Sequence, residues 1–543
     1  MKAYKKLIKF SIPLFAMIAV SGCTKLDESL KSTLTNSQVS SSLGSSGTGL
    51  LLSAAYADFT VLTGQSGVFS LEENTSDESL VPTRGGDWDD NGVWRVLHSH
   101  KWNANHGQIK DVFNDLNKIN FDATNVLGFN PTAAQAAEAK FLRSFALYYL
   151  LDLYGQYPIR NPGDNLLLAP EVKSGAAAVD FIISELTAIL PALPASNGTA
   201  KANPDAARVL LMKCYLQKGA FVNRAAPTFA AGDMAQVISI GNSIIGSGKY
   251  SYSSNYFDNF KPGNDNSPEA IFRYDNTAGV GANNSGVGVR WNMTLHYNCW
   301  TPNNPNAGWN GFSTISDFYN SFNTSAAPTA FGPNDTLLDP RIGGRYYKGV
   351  TDISGMRPGL LVNQQFNENG VAIKDRKGAP LAFTPAIAAD MIETGSNLEV
   401  TGIRVLKYPP DYTQYGGGPT GNDLMIFRYP DVVLMVAEAK LRVNPADATA
   451  LQMVNALRAA RGAAPLATMA LVNQANVEDP LTLLAERGRE LYWESVRRTD
   501  LIRFGVYNKI WQYKPTDDPK NLVFPVPNQA LAANPNLKQN PGY

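Results

Sequence analysis

The chain has 543 residues, with 47 Lys+Arg against 47 Asp+Glu and a formal net charge of zero. That balance removes the electrostatic attraction on which nucleic-acid binding rests, and three cysteines are too few for a disulfide framework. The length admits a large core or two subdomains, and 10% aromatic with only 17% charged residues fits a folded extracytoplasmic protein with long ordered loops.

Lys2, Lys5, Lys6 and Lys9 precede an apolar stretch from Phe10 to Val20. It is too short to span a bilayer, which needs roughly 20 residues, so residues 1–22 read as a signal peptide. Val20-Ser21-Gly22-Cys23 resembles a lipobox, which makes Cys23 the acylated N-terminus of the mature chain and its acyl chains the membrane attachment. Residue +2 is Lys25's neighbour Thr24, not Asp, which argues against retention at the inner membrane, and Asp27-Glu28 is similar to the surface-export signal of Bacteroidetes lipoproteins. Residues 23–49, rich in Ser, Thr and Gly, are expected to form a flexible tether, part of which can pack on the domain that follows.

Helical periodicity places helices at Ala133–Tyr154, Val179–Leu190, Asp205–Lys218 and Met234–Ile245. Gly155, Pro191, Gly219 and Gly246 are their expected stops, and Asn203-Pro204 is a cap and first turn. From Tyr250 to Gly421 the texture is Gly, Asn and Pro, with one possible helix at Thr314–Phe322. Helices return at Tyr429–Arg442, Asp447–Arg461 and Leu481–Phe504, ahead of a Pro-rich tail. Short connections between paired helices are similar to a tetratricopeptide repeat. The expected fold is mostly α, a tetratricopeptide-like helical-pair scaffold with a large loop-rich insertion containing short strands. Within a domain spanning 50–543, the scaffold takes about 50–249 and 422–543 and the loop-rich ligand face about 250–421.

Glu486-Arg-Gly-Arg-Glu490-Leu-Tyr-Trp-Glu494-Ser-Val-Arg-Arg498-Thr-Asp500-Leu-Ile-Arg503-Phe-Gly505 resembles the hallmark helix of SusD/RagB proteins. Arg428-Tyr-Pro-Asp431 before Ala437-Glu438-Ala439, the Asn455–Gly462 segment and the Leu537–Tyr543 ending follow in the family's order. In one helix Glu486, Glu490 and Glu494 share a stripe and repel one another. Glu494 then pairs with Arg498, the other two need donors from elsewhere, the arginines sit near the C-terminal end as the dipole favours, and Gly505 is the stop. The stripe reads as a docking seam of ion pairs, not a catalytic carboxylate pair. The resemblance implies a SusD-like fold, an outer-membrane lipoprotein facing the cell surface, and a non-enzymatic capture protein. It would bind oligosaccharide and hand it to a SusC-like TonB-dependent transporter.

Six of the eight tryptophans fall in two short windows: Trp88, Trp94 and Trp102, then Trp291, Trp300 and Trp309. Tryptophans in Gly/Asn-rich loops suit the apolar C–H faces of sugars, and flanking Asp, Asn and Arg suit the hydroxyls. The competing account is that these rings pin long loops to the scaffold; Trp94 and Trp102 look the most structural, and Trp493 reads as core. By similarity to the layout of the family's starch-binding member, the candidate ligand residues are Asp77, Arg84, Trp88, Asn91, Tyr297, Cys299, Trp300 and Trp309. Cys214 reads as a core residue on a helix, and pairing of Cys214 with Cys299 is open.

His98, His100 and His106 lie close in sequence, but no carboxylate or Cys spacing completes a known metal site, so no metal or cofactor is expected. G-x-S-x-G, H-E-x-x-H and Walker A patterns are absent from the sequence. A glycosidase needs only two carboxylates, which leaves a surface glycoside hydrolase as the main rival. A peptide-binding RagB-like lipoprotein would keep the scaffold without needing Trp-lined loops.

Overall fold

The computed structural model describes residues 36–280, 286–300, 308–324, 339–344, 355–413, 420–515 and 517–543. The leader, Cys23 and the tether up to residue 35 lie outside them. The tether expectation changes from Asn36 onward, because a helix covers Asn36–Ala57. Its second half buries Leu52 and Ala55 against the helices Gly107–Leu127 and Ala133–Tyr154, and Thr48 donates to the Phe129 carbonyl at 2.8 Å. Among the described residues no helix is long and apolar enough to cross a membrane.

Helices then pack on their sequence neighbours: Gly107–Leu127 on Ala133–Tyr154, Gly175–Ile189 on Pro204–Val222, and that on Ala231–Ile245. Each start has a local cause. Thr132 and Gln135 form a capping box ahead of Ala133, and the Asn203 side chain caps the amides of Asp205 and Ala206 with Pro204 in the first turn. Gly155 stops its helix with φ 73°. Gly219 does not stop the next one, which runs on to Val222. A Cβ there would meet the Thr228 carbonyl oxygen at 1.6 Å, so this glycine admits a crossing chain.

The stack resumes after the insertion as though residues 250–421 were one loop. Ala231–Ile245 packs on Tyr429–Val443, which packs on Ala448–Ala460. Gly241 makes the first of these contacts close, since a Cβ would lie 2.2 Å from Val436 Cγ2. Ala270–Tyr274 pairs antiparallel with Leu424–Arg428, so one ladder joins the insertion's entry and exit. Inside it, among the described residues, the strand pairs are short, Gly359–Leu361 with Arg404–Leu406 and Asn363–Gln364 with Ala382–Phe383; the expected helix at 314–322 is reduced to Ser316–Asn320. Thr83–Arg84 runs parallel to Ile392–Glu393, which brings the first tryptophan window to the insertion.

The stretch expected as one helix over 481–504 is two, Leu483–Leu491 and Arg497–Arg503. The break holds Trp493 and Ser495 at φ 59° and 60°, and the Trp493 and Ser495 amides donate to the carboxylates of Glu78 and Glu73. The expected Glu494–Arg498 pair therefore does not form. Glu494 binds Lys407 and Arg428, while Arg497 and Arg498, at the start of the second helix rather than the end of the first, are taken by Asp77 and Asp152. Gly505 follows the last turn with φ 73°.

Glu486 and Glu490 do find donors from elsewhere. Arg341, Arg458 and Arg489 reach Glu486, and Arg341, Arg428 and Arg461 reach Glu490, all fully buried. Burial raises the Glu490 carboxyl, but Arg461, Arg428 and Arg341 outweigh it and hold the group down at about 2. Asp431 binds Lys213 and Arg487, and Glu438 binds Arg442 and Arg503. At the tail, Asn540 donates to the carbonyls of Tyr154 and Phe524. The sequence motifs at 428–461 and 486–505 are thus parts of one buried charge network.

Candidate functional site

The two tryptophan windows meet. The Trp88 indole donates to the Trp309 carbonyl at 2.7 Å, and Tyr297 Oη donates to Asp87. The second window folds back tightly: the Cys299 amide bonds the His296 carbonyl at 2.8 Å and the Trp309 amide bonds Asn292 at 2.7 Å. A Cβ on Gly308 would lie 2.0 Å from the His296 carbonyl oxygen, so only glycine allows that return. His296 anchors the turn, its Nε2 on Glu399 at 2.7 Å and its Nδ1 accepting from the Asn298 amide. Burial brings the His296 imidazole down to about 4, against the pull of Glu399, so the ring is neutral at pH 7.

This turn presents Trp300, 49% exposed, at a cavity of about 300 Å³ shared with Tyr412, Met356, Asn298 and the segment 367–375. Tyr412 is 36% exposed. Beside the cavity the Arg376 guanidinium lies 4.0 Å over the Tyr297 ring and bonds Glu399. Burial and the Asp87 bond push the Tyr297 phenol up to about 12, so it stays a neutral donor. Asn298 Nδ2 is spent on the Lys374 carbonyl. Asp375 accepts from the amides of Lys377 and Ala379, which shapes the 374–380 turn. The result is two half-open aromatic faces with carboxylate, amide and backbone groups at the edge. Such a surface can stack on a flat apolar face and hydrogen-bond hydroxyls around it.

The candidates separate by burial. Tyr297 and Trp300 belong to this surface, and Cys299 lines the same cavity from below, 2% exposed in a cluster with Trp291, Leu295 and Phe383. Asp77 is removed from it: the carboxylate is fully buried, with Arg497 on both oxygens at 2.7 and 2.6 Å. Arg84 is removed too, since its guanidinium staples Ser313, Leu398 and Thr401 inside the protein. Trp88 is partly buried, edge-to-face with Trp94 and Phe312, and a Cβ on Gly311 would strike its ring at 2.3 Å; it is a loop pin. Trp309 also packs on the main core. Asn91 is exposed at φ 58° in the turn before Val93–His98, away from the cavity lining. Trp94, Trp102, Trp291 and Trp493 are all core.

Cys214 and Cys299 are both free and buried, so they do not pair; burial raises both thiols, Cys299 to about 12. The histidine group serves structure: His98 bonds the Ser79 and Gln512 carbonyls, His100 bonds Asp517 and the Thr75 carbonyl. The residues not anticipated are Tyr412, Arg376, Glu368 and Asp87. Asp87 stood in the first window, and Tyr412, between Pro409-Pro410 and Gly416, carries the same aromatic-in-a-loop signal that pointed to Trp300.

The SusD family model matches residues 268–518, and the starch-binding protein SusD of Bacteroides thetaiotaomicron is 26% identical over 531 aligned residues, 88% of this chain and 86% of that protein. By both matches the chain is similar to the SusD family. Solved structures agree in fold. A SusD superfamily protein from Parabacteroides distasonis superposes with TM-score 0.66 at 17% identity, covering 94% of this chain and all of that one. Surface glycan-binding protein A of Bacteroides thetaiotaomicron, in complex with laminarihexaose, gives 0.64 at 17% identity, with 91% and 99% covered. The tetratricopeptide-like helical scaffold matches the fold of these structures.

Proposed function

We propose that this protein is a glycan-binding lipoprotein of the cell surface, attached to the outer membrane through acylated Cys23, that captures oligosaccharide without cleaving it. The observation that carries the reading is the Trp300–Tyr412 cavity, with Tyr297 and Arg376 beside it. Sugars stack their C–H faces on such rings, and the polar edge serves their hydroxyls. The names of the relatives, a starch-binding protein and a glycan-binding protein with laminarihexaose, support the ligand class. Likeness to the SusD family supports delivery to a SusC-like TonB-dependent transporter, which predicts that a large β-barrel co-purifies from detergent-solubilised outer membranes.

The test is calorimetric titration of the full chain in detergent against neutral oligosaccharides, with chromatography of the sugar afterwards. Binding with intact sugar, weakened by Trp300→Ala and Tyr412→Ala, supports the proposal. Released products would replace it with a surface glycoside hydrolase, and binding of peptides alone would replace it with the RagB-like alternative.

A further inference from the structure

A larger cavity, about 340 Å³, lies on the helical scaffold and shares no lining residue with the Trp300 site. One wall is the helix Gly107–Leu127, where Asn114, Asn117, Phe121 and Asn125 follow helical spacing along one face. The second is the loop of the hairpin Gln156–Ile159/Glu171–Ser174. The third is the short helix Asn528–Ala533 and the tail after it. Asn536 Nδ2 donates to the Pro170 carbonyl at 2.9 Å and ties the second wall to the third.

The polar groups in these walls are incompletely used. Asn120 donates to the Pro158 carbonyl but its Oδ1 has no partner; Asn117 donates to Phe113 and its Oδ1 is likewise unpaired. Asn534 accepts from the Asn536 amide, and its Nδ2 has no partner. Asn120 and Asn534 are only 7% and 6% exposed. Buried amides without partners cost stability, so a native chain keeps them where something else completes the bonds. A single structural water does not match the space, since water takes about 30 Å³ in the liquid.

The two charged residues in the lining carry one charge of each sign and hydrogen-bond the loop itself. Arg160 donates to the carbonyls of Asn165 and Leu168, and Asp164 accepts from the Asn161 amide. The cavity therefore offers neutral acceptors, a neutral donor and one aromatic face, Phe121, 44% exposed at its edge. Interleaved hydroxyl donors and acceptors on a compact ring with an apolar side answer that set, and because Arg160 and Asp164 both line the cavity, a carboxylated or phosphorylated ligand would meet no net counter-charge. We infer that this asparagine-lined cavity is a second binding site for an uncharged sugar unit. It goes beyond the Trp300 reading, because it holds the chain at a point on the scaffold that the first site does not share.

The test uses the full chain carrying Trp300→Ala and Tyr412→Ala, so that the first site is disabled, and titrates it with maltose, laminaribiose, cellobiose, xylobiose and galacturonic acid. The expected result is millimolar binding of at least one neutral sugar and none of the acid. Ala533→Trp, at an exposed lining position, should abolish that binding, and Phe121→Ala should weaken it about tenfold, with unchanged melting temperatures. No neutral sugar bound, or binding indifferent to both substitutions, would overturn the inference. Wild-type affinity abolished by Trp300→Ala alone and unmoved by Ala533→Trp would refute only the second site. Affinity unmoved by Trp300→Ala and lost with Ala533→Trp would refute only the first.

Discussion

Replacing Glu490 by Gln removes one negative charge from the centre of the buried network and keeps its shape. The network around it sets Asp339, Glu269, Glu486, Glu490 and Glu494 against Arg341, Arg428, Arg458, Arg461, Arg489 and Lys407. Cations already exceed anions by one, and the substitution makes the excess two with no water to screen it. Removing one partner of a buried pair costs about 3–5 kcal/mol. The low Glu490 carboxyl agrees in order of magnitude: held at about 2 rather than 4.5, it favours the ionised form by about 3 kcal/mol. Because the folded value lies below the unfolded one, this stabilisation is fully present above pH 4.5 and is lost as pH falls towards 2. Urea unfolding at pH 7 should show the wild type more stable than Glu490→Gln by about 3–5 kcal/mol, and the difference should shrink between pH 4.5 and 2. Glu171→Gln, at an exposed carboxylate paired with Lys173, should change stability by less than about 1 kcal/mol. A Glu490→Gln effect below about 1 kcal/mol at pH 7 would refute the reasoning, for it would mean that desolvation cancels the ion pairs.

Trp88 and Trp300 should respond in opposite ways. Trp88→Ala should lower stability by about 2–3 kcal/mol as a partly buried core contact is lost, while Trp300→Ala should leave the melt unchanged. With 49% of Trp300 exposed, a sugar covering half of what is free removes roughly 60 Å² from water, about 1.5 kcal/mol or tenfold in Kd by titration. Gly241→Val should destabilise by more than about 2 kcal/mol in urea, because the new side chain meets Val436 at the junction across the insertion. Ellman's reagent should find Cys214 and Cys299 unreactive in the native chain and two free thiols in urea; no thiol released there would mean a disulfide, against their buried, separate positions.

Most of the scaffold was legible because its signals are local. The Ala133–Tyr154 helix carries its own cap in Thr132 and Gln135 and its own stop in Gly155, and no distant residue is needed to find it. The helix Gly107–Leu127 has such a signal too, since Ile109, Val112, Leu116, Ile119 and Ala123 make a regular stripe, but the asparagines between them mask it. Candidate site residues are harder to read because a polar side chain's role depends on who reaches it. Asp77 and Arg84 have the composition of a sugar site, but Asp77 meets an arginine 420 residues away and Arg84 meets Thr401, 317 residues away. Aromatic residues in loops lead to the candidate cavity, and Tyr412, half-exposed at its edge, carries the same signal as Trp300.

The break at Tyr492–Val496 shows why periodicity could not give the rest. Leu483–Leu491 and Arg497–Arg503 each satisfy helical spacing, and the residues between them are good enough helix formers to suggest one continuous element. Continuity would leave Glu73 and Glu78 buried without the Ser495 and Trp493 amides, and would carry Arg497 away from Asp77. Holding Trp493 and Ser495 in the left-handed region costs of order 1–3 kcal/mol each. A buried charge pair at Arg497–Asp77 and two charge-assisted bonds to main-chain amides are of comparable or larger size. Tertiary electrostatics therefore sets the corner. The corner in turn lets carboxylates of the N-terminal segment grip the C-terminal motif, joining the two ends of the scaffold on which the loop-rich insertion is held.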